Sequence, residues 1–112
     1  MKILLEKGAV VNAKNRHGNT ALIKASENGH TEIVSLLIEK GADVNVLDDC
    51  SRTALMSASW NGHTEVVSLL IEKGADVNVL DNWRRTALYE AIVKGHTEIV
   101  LMLLEKGADV NA

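Results

Sequence analysis

Three histidines, His30, His63 and His96, recur 33 residues apart, and imidazole is a common metal ligand and proton carrier. Carboxylates recur at the same interval: Glu32, Glu65 and Glu98; Glu39, Glu72 and Glu105; Asp43, Asp76 and Asp109. Paired carboxylates can do acid–base work, provided their surroundings push their pKa values apart. Cys50 offers a thiol, and Trp83-Arg84-Arg85 an aromatic beside two guanidinium groups. The interval decides most of these cases. Groups that hold one place in successive stacked units lie about 10 Å apart. Ligands of one zinc ion must lie within about 4 Å of each other. The histidines are therefore read as scaffold, each ordering its own inter-helix loop. Carboxylates repeated in identical surroundings have no reason to differ in pKa, so they make no acid–base pair. The expectation is no catalysis, no metal and no cofactor.

Composition narrows the partner class. The chain of 112 residues is long enough for one domain. Its formal net charge of −3 gives no footprint for nucleic acid, and a single basic cluster at 83–85 is too short to supply one. No apolar run approaches the roughly 18 residues of a membrane span. The charged start, Met1 to Lys7, does not read as a secretory signal. One cysteine allows no internal disulfide and favours a reducing compartment, hence an intracellular, cytoplasmic setting.

The same interval organises the whole chain. Gly-Ala-Asp-Val-Asn begins at 41, 74 and 107, with Gly8-Ala9-Val10-Val11-Asn12 as a variant. Thr-Ala-Leu begins at 20, 53 and 86, and Gly-His-Thr-Glu at 29, 62 and 95. A fixed period of this size is the signature of a solenoid. Each unit reads as two short helices and a turn. Thr20, Thr53 and Thr86 stand where a helix wants an N-cap. Gly29 and its counterparts end the first helix, and Ile33, Val34, Leu36, Leu37 and Ile38 give the second a broad apolar surface. Helices this short do not hold in water by themselves. Alanines at 25, 58 and 91 let neighbours approach, so stability has to come from stacking unit on unit.

These motifs resemble the ankyrin repeat. The resemblance runs over essentially the whole chain and implies an all-α solenoid of stacked helix–turn–helix units with projecting β-hairpin turns. On that frame residues 1–14 are a partial unit and 15–47, 48–80 and 81–112 are full ones, in one domain. Segments 28–48 and 61–81 differ only at Ile33 against Val66, which points to recent duplication or design. Neither end carries a polar capping unit, so a stretch of a longer array, or an engineered one, is expected. Weak self-association through uncapped ends is also expected. The chain departs from the family pattern in two ways. Alanine replaces proline in the Thr-Pro-Leu-His element, and the turn glycine, kept as Gly18, becomes Ser51 and Arg84. Those two turns are expected to be strained. The asparagines Asn45, Asn78 and Asn111 match a position that hydroxylases modify in some relatives, but their expected role is hydrogen bonding within the hairpin.

The resemblance also implies partner binding through hairpin tips and the concave first-helix face. Positions that vary between units are where specificity for another protein can be written. At the tips these are Arg16, His17 and Asn19; Asp49, Cys50 and Arg52; and Asn82, Trp83 and Arg85, with Arg84 beside them. On the first helices they are Ile23, Met56 and Tyr89, with Trp60 and Val93 one turn on. All four arginines lie in the turns, and all three aromatics lie at tip or concave positions. Those residue types dominate binding hot spots. The competing reading is local: an arginine pairing with Asp48 or Asp81, or a tryptophan covering a neighbour. The alternative to a binding module is a structural or engineered scaffold array without a dedicated partner.

Overall fold

The computed structural model describes residues 11–108. Most of the expected partial unit at 1–14, together with Asp109 and Asn111, lies outside that range. Six helices have described bounds: α1 Ala21–Glu27, α2 Thr31–Glu39, α3 Ala54–Asn61, α4 Thr64–Glu72, α5 Ala87–Lys94 and α6 Thr97–Glu105. The threonines do cap the first helix of each pair. Thr20, Thr53 and Thr86 accept from the backbone N–H of Ile23, Met56 and Tyr89 at 3.3, 3.2 and 3.1 Å. Alanine in place of proline at the first helical position therefore leaves the caps intact.

The helices stack in two layers. α3 packs between α1 and α5 in one layer, α4 lies between α2 and α6 in the other, and each pair closes on itself. The result is an elongated body of 40 × 25 × 20 Å. Leu22, Leu55, Leu37, Leu70, Ile99 and Leu103 form a continuous buried row between the layers. Ala25, Ala58 and Ala91 are buried where the first helices meet, the close approach that only a small side chain permits.

The projecting turns are tighter than a laddered hairpin. Among the described residues no strand is formed. In the second unit Asp48 N–H donates to Arg52 C=O and Ser51 N–H to Asp48 C=O, both at 3.0 Å. Adjacent tips are tied directly: Asp49 N–H reaches His17 C=O at 3.2 Å, and Asn82 N–H reaches Cys50 C=O at 2.9 Å. One or two bonds join each pair of adjacent tips, Asn82 Nδ2 also reaching Asp49 C=O at 3.4 Å, and no β ladder forms among the described residues.

The two turns without glycine adopt the left-handed conformation that glycine would take freely. Ser51 has φ +62° and Arg84 φ +63°, against +77° at Gly18. A side chain in that region costs roughly 1–2 kcal/mol, and Arg84 is exposed. Arg84→Gly should therefore raise stability by about 0.5–1 kcal/mol, the relief being offset in part by glycine's freedom in the unfolded chain. Thermal melts followed by circular dichroism test this. A variant melting at or below the parent would show that the turn is not strained.

Candidate partner-binding surface

The candidate surface is built where the second unit meets the third. Asp81 opens the third turn, and its Oδ1 accepts the N–H groups of Trp83 and Arg85 at 2.8 and 2.9 Å. Asp48 does the same for Cys50 and Arg52, and Asn15 for His17 and Asn19. A neutral amide thus serves as well as a carboxylate for shaping the turn. The charge of Asp81 has separate work. Its Oδ2 accepts Arg52 Nη1 at 2.7 Å and Arg85 Nε at 3.3 Å. The other terminal nitrogen of Arg52 is ion-paired with Glu90 Oε1 on α5. Arg52, from one unit's turn, is therefore held by two carboxylates of the next.

Two cation–aromatic contacts frame this cluster. The Arg85 guanidinium lies 5.0 Å from the Trp83 ring centroid, and the Lys94 ammonium 4.8 Å from that of Trp60. Trp83 is 59% exposed and Trp60 36%. Arg52, Trp60, Arg85 and Glu90 together line a pocket of about 220 Å³. The two indoles thus belong to one surface, linked through Arg85.

Burial corrects part of the expected site. Ile23 and Met56 are 2% and 1% exposed. Their position faces the following unit, and they are core residues. Tyr89 holds the same position at 51% exposure, since no further described unit covers it. Arg52, expected to grip a partner, is spent on Asp81 and Glu90 and is largely covered. Arg16, His17, Asp49, Trp83, Arg84 and Val93 are exposed, whereas Asn19, Cys50 and Arg85 are half-buried.

The repeated polar residues also act between units, where the sequence suggested a role within them. His63 Nε2 lies 2.9 Å from Glu27 C=O, and His96 Nε2 lies 3.1 Å from Trp60 C=O. Each carbonyl is near the end of a helix, where carbonyls lack an intrahelical donor. Each imidazole thus caps the first helix of the preceding unit. The glycine beneath it is obligatory: a Cβ on Gly29 or Gly62 would lie within 2.6 or 2.7 Å of the imidazole. The asparagines bridge as well. Asn45 Nδ2 donates to Gly74 C=O at 3.2 Å while its Oδ1 accepts Asp76 N–H at 2.7 Å. Asn12 makes the same pair of bonds to Gly41 and Asp43.

Comparison with known families agrees with this geometry. A family description, Ankyrin repeats (3 copies), matches residues 1–48 and 41–112. The chain belongs to the ankyrin-repeat family. No match to it was found among curated proteins. Ankyrin repeats generally mediate protein–protein interaction. Among the described residues no helix is long and apolar enough to cross a membrane.

Within this ankyrin stack the sequence reading missed Glu90 and Lys94, while the pairing of arginines with Asp81 is the local alternative it offered. The signal for Glu90 was present. Its position carries Lys24, Ser57 and Glu90 in successive units, so it varies as the chosen positions do. What hid it was the pairing with Arg52, which draws a carboxylate to 1% exposure.

The Asp81 cluster has a pH signature. Burial by itself would push the Asp81 carboxyl up. The N–H groups of Arg85 and Trp83, the Arg52 guanidinium and the Arg85 charge outweigh it, and the pKa falls below the ordinary 3.8. The folded state therefore binds this proton less tightly than the unfolded one. The stabilisation is present above the unfolded value and disappears as pH falls through the folded one. Asp81→Asn should keep the turn, as Asn15 does, yet cost about 1.5–3 kcal/mol at neutral pH. In urea melts from pH 7 to pH 2 the gap to the parent should begin to narrow near pH 3.8 and close as pH falls through the lower folded value. A gap that stays constant across that range would remove the ion-pair explanation.

Proposed function

We propose that the chain is a protein-binding module that holds its partner on the surface joining the second and third units. The observation that carries this reading is that Arg85 connects two exposed indoles: it lines one pocket with Trp60, and its guanidinium lies against Trp83. Tryptophan and arginine supply large rigid area and planar donors, and a few such residues carry most of the energy of typical interfaces. Arg84 and Val93, exposed beside them, extend the surface. Tips Arg16, His17 and Asp49 extend it towards the first unit. A Trp60→Ala/Trp83→Ala double variant should keep its helical circular dichroism. It should bind a partner captured by the parent chain at least about 30-fold more weakly, as loss of hot-spot residues worth 2 kcal/mol or more requires. Full affinity in a folded double variant would refute the assignment.

Weak self-association is a second reading, favoured by the trailing face of the third unit. Tyr89, Ile92 and Leu104 are 51%, 57% and 41% exposed there. Ile23, Met56, Ser26 and Ser59, the counterparts of Tyr89 and Ile92, are buried under the next unit, and Ile38 and Ile71, those of Leu104, are half-buried. A second molecule presenting a unit of the same shape would cover this apolar face. Sedimentation velocity should then show an average mass rising with concentration, and Ile92→Glu should suppress the rise. A strict monomer at millimolar concentration excludes this association.

A further inference from the structure

We infer that the pocket between the second and third units receives a partner's side-chain carboxamide, from glutamine or asparagine, against the Trp60 indole. The inference rests on the binding reading above and names the chemistry its partner brings. The pocket, about 220 Å³ in volume, is several times the roughly 30 Å³ a water molecule occupies, so the end of a side chain fits. Its polar walls are incomplete in a complementary way. Glu90 is 1% exposed; Oε1 faces Arg52, while Oε2 accepts no hydrogen bond. A buried acceptor without a donor is destabilising until a donor arrives. Arg85 commits only Nε to Asp81. Its two terminal nitrogens have no described acceptor, and its side chain is 34% exposed. Arg85 thus offers donors at the pocket wall and Glu90 an acceptor just beneath it, and a carboxamide carries the matching N–H₂ and C=O on one planar group.

Charge selects the same occupant. Arg52 and Arg85 are matched by Asp81 and Glu90, and Lys94 stands over the Trp60 ring. A carboxylate would pair with Arg85 but set a second anion against Glu90, and an ammonium would meet the two arginines and Lys94. A neutral group that both donates and accepts meets neither repulsion, and its plane lies against the indole. The Glu90 oxygens are sealed from solvent, so entry of the amide requires the Trp60 side chain, in the last turn of α3, to swing outward.

The test uses the ¹⁵N-labelled chain and three matched probes: the N-acetyl, N-methylamide derivatives of glutamine, glutamate and lysine. The chain has two indole N–H resonances, so Trp60 is read against Trp83 as an internal control. The glutamine probe should shift the Trp60 indole saturably. The glutamate and lysine probes should bind about ten-fold more weakly or worse. Glu90→Gln should weaken the glutamine response, and so should Arg85→Lys, which keeps the charge but lacks the forked nitrogens. Should Glu90→Gln fail to fold, Arg85→Lys decides alone. No saturable Trp60 shift with the glutamine probe, or equal response to the charged probes, overturns the inference. If it fails while the double tryptophan variant still loses its partner, the binding surface stands and only its ligand chemistry is wrong. If the double variant keeps its partner, the surface itself is wrong.

Discussion

Everything in this molecule depends on one unit burying the next. The helices run seven to nine residues, well below the roughly 12–15 at which an isolated helix becomes even marginal in water. Their leucines and valines reach full burial only between units. Polar groups follow the same rule. The asparagine side chains and histidine rings spend their hydrogen bonds on the neighbouring unit. A single unit would lose its apolar contacts and leave those groups unpaired together, so the stack behaves as one cooperative object in which nearest-neighbour interfaces carry the stability.

That constraint gives one sequence position different physics along the stack. Ile23 and Met56 are core, yet Tyr89 at the same position is half exposed, because covering is supplied by the unit that follows. Ser26 and Ser59 are buried with unpartnered hydroxyls, and the third unit has Ile92 there. Exposure of an aromatic is thus weak grounds for function unless its counterparts elsewhere in the stack are also exposed. Trp60 and Trp83 pass that test better than Tyr89 does. At Trp60's position Glu27 is half-buried and Val93 exposed, and at Trp83's position His17 is exposed and Cys50 half-buried, whereas both counterparts of Tyr89 are core.

The second and third units are also joined electrostatically, and this part was only half legible. That an arginine could pair with a turn carboxylate followed from their proximity in sequence, as Arg85 and Asp81 show. The longer link, Arg52 to Asp81 and Glu90, spans 29 and 38 positions, and nothing local announces it. Asp81 is therefore both a turn former and the anchor of an inter-unit charge cluster, whereas Asp48 is a turn former with no such arginines on its second oxygen. The ion pair with Asp81 holds Arg85 beside Trp83 and at the pocket wall, so the stability of the stack and the shape of the candidate surface share one carboxylate.

The periodicity by itself determined the architecture. A 33-residue interval, threonine caps, glycine stops and apolar helix faces admit only short paired helices that stack, since no other arrangement buries their surfaces. It also indicated that the repeated histidines do not share one metal, because identical places in successive units lie a whole unit apart, and His63 and His96 are indeed bonded to carbonyls of the preceding unit. It did not determine which partner each scaffold group chooses. Bonds from Asn45 to Gly74 and Asp76, or from His63 to Glu27, join residues far apart in sequence. Only the rotation and rise of one unit on the next bring them within 3.2 Å. The tertiary structure likewise decided which variable residues face outward. It drew Met56 inward, tied Arg52 down and set Glu90 at the floor of the pocket, because side-chain direction depends on where the neighbouring unit lies.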